Sequence, residues 1–272
     1  MTTRATAAIA IALALPLASR AQEVLSDEAL EAIASSGPST AVAVDRSWLY
    51  NDPARVIAPG RAVALARVTY GSGSPTRAFA GNTGTSGALL EVGGEFGLVE
   101  RLSAVVIGAQ GEDAAGSART GAMVGLRWSA LPLSMRGTQL VLSGGLIREL
   151  QGQSGAWARL TAGHDEGRAR LALSVHGERM FASTRDTLDV MVTAGATLRL
   201  TELIRAGVEY VGQDLEGMLG DNEAEGGARH VLGPVVSAAL WSQRVSLVGG
   251  PAVALGAGQG RLLGRLALAC QF

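Results

Sequence analysis

The chain has 272 residues and a formal net charge of −1, and its composition is 47% hydrophobic and 17% charged. This low charged fraction argues against a disordered chain and against an ordinary soluble enzyme. All 23 basic residues are Arg, so mechanisms that need a Lys, such as Schiff-base formation, are excluded. The single Cys excludes an intramolecular disulfide and a Cys-rich metal site. The Arg residues are scattered along the chain, and we therefore expect no nucleic-acid partner.

Residues 1–21 have the pattern of a secretory signal peptide. Arg4 gives a positive start, an apolar run of about 14 residues follows, and Ser19-Arg20-Ala21 forms a small–x–small cleavage site. The apolar run is too short for a membrane-spanning helix. We expect export and cleavage near Ala21, with a buried N-terminal helix as the alternative.

Residues 22–61 differ in character from the rest, and we expect a periplasmic N-terminal extension. A short helix is predicted over 26–34, with Ser26 as its cap and acidic residues in its first turn. An apolar patch at 48–50 then precedes a turn. The extension could plug a lumen or hold a periplasmic partner, but we favour a loosely ordered extension.

After residue 61 the dominant signal is an alternation of apolar and polar residues. In 168–178, apolar residues such as Leu171 and Leu173 alternate with charged and polar ones, and 90–98 and 188–199 repeat the pattern. A period of two with one polar side predicts a β-sheet that is apolar on one face only. A soluble β-sandwich would produce the same alternation. Helical membrane spans are not expected, because no uninterrupted apolar stretch of about 18 residues follows the signal peptide.

The lengths of the alternating runs favour strands that cross a membrane. The runs extend over about 9–13 residues, whereas strands of soluble sheets usually have about 5–6 and membrane-crossing strands about 9–11. We predict an all-β fold, a transmembrane antiparallel up-and-down β-barrel of about twelve strands over 62–272, with ten or fourteen strands as alternatives. The predicted strands are 62–71, 87–97, 101–111, 118–128, 138–148, 155–163, 168–179, 187–199, 203–213, 228–240, 244–256 and 262–272.

The C-terminal strand carries the most specific motif. Leu266, Leu268, Cys270 and the terminal Phe272 share one face of this strand. The pattern resembles the closing strand of bacterial outer-membrane β-barrels, which ends in Phe or Trp, although Cys270 stands where that class usually has a larger apolar residue. The resemblance implies a bacterial outer-membrane location, contact with outer-membrane lipids, and recognition of this strand by the barrel-assembly machinery.

The polar faces of the predicted strands would line the lumen of such a barrel. On the predicted register ten Arg face inward against five acidic residues, and this excess would bias a water-filled lumen towards anions. Pairing of these charges across a narrow barrel would instead close the lumen. The predicted inward residues are Glu91, Glu95, Arg119, Arg127, Arg159, Arg168, Arg170, His176, Glu178, Asp189, Arg199, Arg205, Glu209, Arg229, Arg261 and Arg265.

No motif points to catalysis, to a metal or to a cofactor. The His residues have no partner at metal-ligand spacing on one strand face. The patterns of two enzymatic barrel classes, the omptin proteases and the outer-membrane phospholipases, are missing. We expect His176 to join a hydrogen-bond network in the lumen. The acidic loop 214–225 lacks the spacing of an EF-hand, and we expect a solvated loop there.

The sequence therefore predicts a small porin-like channel for passive diffusion of small solutes. The excess of Arg indicates that these solutes are anionic. The alternative is a non-conducting structural or partner-binding outer-membrane barrel. Arg and acidic residues that pair at matching heights would favour this alternative, whereas unpaired rings of Arg would favour the pore. No enzyme activity and no cofactor are expected, and the oligomeric state is not determined by the sequence.

Overall fold

A computed structural model describes residues 48–51, 53–71, 85–113, 115–131, 137–150, 152–181, 188–213, 215, 229–241, 244–255 and 261–272. All of these residues belong to one compact unit, Ala43–Phe272. The predicted signal peptide, the predicted helix at 26–34 and most of the acidic loop lie outside the described residues. Among the residues described, no helix is long and apolar enough to cross a membrane.

Within the described residues, twelve antiparallel strands form a closed barrel in which neighbours in sequence pair and β1 pairs with β12. This architecture confirms the predicted fold class and strand number. The strands are β1 (Ala62–Tyr70), β2 (Thr85–Val99), β3 (Leu102–Asp113), β4 (Ala118–Ser129), β5 (Thr138–Arg148), β6 (Ser154–Glu166), β7 (Ala169–Met180), β8 (Asp189–Arg199), β9 (Ile204–Gln213), β10 (Arg229–Leu240), β11 (Val245–Leu255) and β12 (Arg261–Gln271).

The clearest boundary difference concerns β6, which continues to Glu166 instead of ending at 163. The backbone of Asp165 pairs with Arg170 on β7, and its N–H donates to Gly137 O at 2.8 Å. The predicted strands 155–163 and 168–179 leave His164 and Asp165 in the link between them. They lie instead on the last residues of a strand, because the backbone partners on both sides continue to that height.

Alternate residues of each strand face a crowded interior and an exposed outer surface. In β7, Ser174, His176 and Glu178 are buried, whereas Leu171 and Leu173 are exposed. The outside is thus apolar, and the interior combines such polar groups with buried apolar clusters, one of which includes Val231, Val235 and Leu263.

Aromatic side chains lie exposed near both ends of the barrel. We call the end at which β1 begins and β12 ends the terminal end, and the opposite end the loop end. Such belts are typical of barrels whose rims lie at membrane–water interfaces. The exposed aromatic residues are Phe96, Trp128, Trp241 and Phe272 at the terminal end, and Tyr70 and Phe181 at the loop end.

Two prolines interrupt the ladder between β10 and β11. Pro234 and Pro251 have no N–H to donate, and the residue pairing of the two strands is interrupted around them. The backbones approach closely there: a Cβ atom on Gly233 would lie 2.2 Å from Pro251 O, and one on Gly250 would lie 2.1 Å from Pro234 O. We call this interrupted stretch the proline seam. Glycine at both positions permits the close approach.

Residues 48–51 and 53–58, which we call the lumen segment, lie inside the barrel. Leu49 and Ile57 are fully buried, and Tyr50 is 1% exposed. The sequence analysis favoured a loosely ordered extension for this stretch, so the described residues differ from that interpretation. The physical reason is that the apolar patch at 48–50 is buried inside the barrel.

The apolar outer face predicts a specific cost for a charge at mid-height. Leu160 lies at the centre of β6, faces outward and is 42% exposed. We expect Leu160→Arg to lower the free energy of unfolding by about 2–4 kcal/mol, because a cation is placed in the bilayer core. Urea unfolding of the vesicle-inserted protein, followed by tryptophan fluorescence, measures this cost.

The matched control is Leu200→Arg, at the terminal-end rim, where Leu200 is 59% exposed. We expect it to cost about 0–1 kcal/mol, because a rim cation reaches water. Equal costs for the two variants would show that the outer face does not sit in lipid.

Candidate functional site in the barrel lumen

The predicted lumen residues lie at different depths of the inner wall. Arg168 is not on a strand: it lies in the turn after β6 and is exposed, as is Arg199 at the end of β8. Arg119, Arg170 and Arg205 are half-buried. The fully enclosed members of the predicted set are Glu91, Glu95, Arg127, Arg159, His176, Glu178, Asp189, Glu209 and Arg265.

Two ion pairs join neighbouring strands deep in the lumen. Arg67 Nη1 on β1 donates to Glu91 Oε2 on β2 at 2.8 Å, and both side chains are almost inaccessible to solvent. Arg127 on β4 pairs with Glu95 on β2, and Ser103 Oγ donates to the other oxygen of Glu95 at 2.6 Å. A buried charge requires a partner of opposite charge, and each of these guanidinium groups has one, although Arg67 Nε and Nη2 and Arg127 Nε form no hydrogen bond.

A third cluster surrounds His176. Arg159 Nε donates to His176 Nδ1 at 2.9 Å, which leaves His176 Nε2 to donate to Glu178 Oε1 at 2.7 Å. The indole ring of Trp157 stacks on the imidazole, with 5.7 Å between ring centres. The neighbouring Ser174 bonds to Thr161 on β6 rather than to His176. These contacts form a hydrogen-bond network that joins β6 and β7.

Glu209 on β9 holds the tip of the lumen segment. Its fully buried carboxylate accepts hydrogen bonds from three consecutive backbone N–H groups, those of Leu49, Tyr50 and Asn51, at 3.2, 2.8 and 2.8 Å. The Asn51 side chain donates to the same carboxylate at 3.2 Å and accepts from Thr193 at 2.7 Å. Successive N–H groups that converge in this way form an anion-binding nest, and Glu209 supplies the anion.

Arginines of the wall hold the rest of the lumen segment. Tyr50 lies between Arg67 and Arg265, whose guanidinium carbons are 5.5 and 5.7 Å from the ring centre. Its hydroxyl is 3.2 Å from Thr69 Oγ1. Arg127 Nη2 donates to Pro53 O, so the guanidinium that pairs with Glu95 also binds the segment. The same charged side chains of the wall therefore form ion pairs with one another and hold the lumen segment in place.

Three wall glycines allow the lumen segment to approach the strands. A Cβ atom on Gly195 would lie 2.4 Å from the ring of Trp48, one on Gly163 would lie 2.7 Å from Ala54 Cβ, and one on Gly97 would lie 2.0 Å from Ala58 O. Any side chain at these positions would displace the segment. The wall is thus shaped to accept it.

Arg265 on β12 satisfies the proline seam from the lumen side. Its Nη2 donates to Pro234 O at 2.8 Å and to Pro251 O at 2.9 Å, and its Nε donates to Gly250 O at 3.1 Å. One planar guanidinium therefore replaces ladder bonds that the prolines cannot make.

Acidic groups outnumber Arg by one among the buried charged residues of the described strands, whereas Arg predominates towards the terminal end. This differs from the predicted excess of ten Arg over five acids, because several of the predicted Arg lie at the barrel ends. Among the described strand residues, the buried charged groups are Arg67, Arg127, Arg159 and Arg265 against Glu91, Glu95, Glu178, Asp189 and Glu209.

Sequence reasoning left Arg67 and Asp165 out of the lumen set, and it gave a plug formed by residues 22–61 only as the less favoured interpretation. The alternation of β1, in which Val63, Leu65, Arg67 and Thr69 share the inner face, carried the signal for Arg67. No group of three or more His, Cys, Asp or Glu among the described side chains is placed to hold a metal ion.

No protein-family model and no curated protein matches this chain. Among solved structures, it is similar to Pseudomonas aeruginosa OprD, with 14% identity and a TM-score of 0.40 over 77% of this chain, and it spans 66% of that chain's length. It is also similar to the COG4313 outer membrane channel from Pseudomonas putida F1, with 11% identity and a TM-score of 0.49 over 82% of this chain and 98% of that chain. It is similar as well to the translocator domain of the autotransporter NalP from Neisseria meningitidis, with 13% identity and a TM-score of 0.43 over 78% of this chain and 88% of that chain. At these identities and TM-scores, the likeness carries no conclusion about function.

The pair of Arg127 and Glu95 predicts strong non-additivity. Arg127→Gln should lower the free energy of unfolding by about 3–5 kcal/mol, because Glu95 loses its cationic partner while it stays buried. The double variant E95Q/R127Q should cost less than R127Q alone, because no unpaired charge remains. Urea unfolding of the detergent-solubilised barrel measures both values.

Arg244→Gln provides the control, because Arg244 is exposed at the start of β11 and should change stability by no more than about 0.5 kcal/mol. If the costs of E95Q and R127Q simply add in the double variant, the two residues do not act as a pair.

Proposed function

We propose that this chain is an outer-membrane barrel that acts as a gated channel for small solutes. In the conformation described, its own lumen segment closes the passage. The observation that carries the proposal is the Glu209 contact: a stretch of chain without strand structure occupies the lumen and is held there by non-covalent hydrogen bonds to this carboxylate.

The outer surface supports the membrane location. Large apolar side chains such as Leu146 and Val106 are 60% and 57% exposed, which is costly in water and favourable in lipid. The aromatic residues near both rims fit the two interfaces of a bilayer. Export to the bacterial outer membrane, with removal of residues 1–21, is part of this proposal.

The inner surface supports a passage rather than a purely structural core. A barrel that needed only stability would gain more from apolar interior packing than from buried ion pairs. Here the wall around the lumen segment presents Glu209, Thr193, Arg67 and Arg127 beside an apolar cluster that includes Met191 and Val235. With the segment withdrawn, these groups would line a hydrated path, as charged and polar side chains do in known pores.

The distribution of charged side chains along the lumen bears on the charge of the solutes that would pass. The four Arg and five acidic side chains buried deep in the lumen nearly cancel and give little preference for either sign, whereas the Arg groups near the terminal end attract anions. We propose passive diffusion of small solutes with a moderate preference for anions, without a cofactor and without covalent chemistry.

A second candidate is a non-conducting barrel that binds a partner or has a structural role. The observation that favours it is that the deep charges pair with one another across neighbouring strands, as Arg67 does with Glu91. Such pairing rigidifies a closed interior. The gated channel requires that the lumen segment can leave the lumen, whereas the non-conducting barrel does not.

The gate predicts a gain of conductance in Glu209→Ala. This change removes the acceptor of four hydrogen bonds from the lumen segment. Hydrogen bonds to a charged group contribute about 1.5–3 kcal/mol each, so the open state should become at least about tenfold more populated. Planar-bilayer recordings of residues 22–272 measure the open probability, and a salt gradient measures the anion preference.

Glu166→Ala is the matched control, because Glu166 is an exposed acid at the terminal end and does not contact the lumen segment in the described structure. A second opening variant, with residues 22–58 deleted, covers the case in which E209A folds poorly. If the inserted deletion variant remains as silent as the intact chain, the channel proposal fails and the non-conducting barrel is favoured.

A further inference from the structure

Two arginines lie on the outer face of the barrel at the loop end. Arg148 ends β5, Arg179 is the second-last residue of β7, and both residues are exposed. Their neighbours Ile147 and Met180 are buried, so the alternation of each strand directs the two arginines outward. We call Arg148 and Arg179 the outer arginine pair.

The strand register shows that the two arginines flank β6. Ser154 on β6 is the direct partner of Arg148, and Ala156 on β6 is the direct partner of Arg179. With about 4.8 Å between strands and an offset of two residues along β6, the two Cα atoms are about 12 Å apart. Because only the small side chains of Ser154 and Ala156 lie between them, both guanidinium groups can reach one ligand placed over β6.

The outer arginine pair has no carboxylate partner in the part of the chain that the structure describes. Neither guanidinium group forms an ion pair or a hydrogen bond with another described residue. The acids that adjoin them in sequence, Glu149 and Glu178, are buried. The donors of both arginines therefore face outward, where a ligand from outside the barrel can reach them.

The surface next to the pair is apolar. Towards the middle of the barrel, Leu146 on β5 is 60% exposed and Val175 on β7 is 43% exposed. At the rim, Phe181 is 68% exposed, and its N–H donates to Ser154 O at 2.9 Å. Two cations thus stand between an apolar wall and the loop end, which is the order of acyl chain and charged headgroup in a lipid.

We infer that the outer arginine pair binds the headgroup of a lipid that carries a phosphate and a net negative charge. Planar guanidinium forks match the oxygens of a phosphate and form charge-assisted, often bidentate hydrogen bonds with it. The hydroxyl of Ser154, which is exposed between the arginines, provides a further donor. The acyl chains lie along Leu146 and Val175. This inference rests on the membrane location in the proposed function but does not require that the barrel conducts.

The test is a titration of the detergent-solubilised mature chain, residues 22–272, with dioctanoyl phosphatidic acid, followed by native mass spectrometry. We expect one lipid per barrel to bind more tightly than any others. Arg148→Gln and Arg179→Gln should each weaken this binding by about fivefold or more, because each removes charge-assisted hydrogen bonds. The lipid should also raise the Tm of the unaltered barrel more than that of the R148Q/R179Q variant.

Two controls separate this site from general adsorption of lipid to the barrel. Arg244→Gln removes an exposed arginine at the opposite end and should leave the lipid affinity unchanged. Dioctanoylglycerol has the same acyl chains without the phosphate, and should bind the unaltered chain and the R148Q/R179Q variant equally weakly. Without lipid, all of these variants should keep the Tm of the unaltered barrel, because the substituted side chains are exposed.

Inorganic phosphate distinguishes a lipid site from an ion site. It should bind at least about tenfold more weakly than the lipid, because it makes no apolar contact with the wall. The inference is overturned if phosphate binds as tightly as the lipid, if R148Q/R179Q keeps the full lipid affinity, or if R244Q weakens binding as much as R148Q does. Silence of the barrel in bilayer recordings would leave the lipid result intact, so the two proposals fail separately.

Discussion

A closed barrel directs every second side chain of its strands into one enclosed space, and in this chain many of those side chains are charged. Each buried charge needs a partner, because an unpaired one costs several kcal/mol. Glu209 is the residue for which this need for a partner is greatest. Its carboxylate is fully buried, and its contact with Arg265 Nη1 spans 3.9 Å. Backbone N–H groups of the lumen segment supply the missing bonds, so the position of the segment follows from the need of one carboxylate.

The same constraint explains how charge is distributed along the barrel. Deep in the lumen, where water is excluded, Arg67 and Arg127 have glutamate partners on a neighbouring strand. Near the terminal end, where side chains reach solvent, an excess of Arg is tolerated because water screens it.

The strands of the barrel wall could be predicted from the sequence, because the alternation of apolar and polar residues lies within each strand. Alternation in β7 and β8 marks which side chains face lipid, and a slip of one residue would place Leu171 and Leu173 in the lumen. The lumen segment could not be predicted in the same way. Glu209 binds backbone N–H groups, which have no side-chain signature, and the tip at 49–51 meets it across a sequence separation of about 160 residues. The predicted Arg excess was misleading for a related reason: counting inward charges ignores height, and Arg199 and Arg205 lie at the rim while Arg67 lies deep.

Arg265 connects two parts of the molecule that are otherwise separate. Its guanidinium bonds to the carbonyls of the proline seam and stands against Tyr50 of the lumen segment. Pro234 and Pro251 are exposed on the outer face, whereas Tyr50 lies inside the barrel. The contacts of one guanidinium group therefore reach from a break in the outer wall to the chain segment that fills the interior.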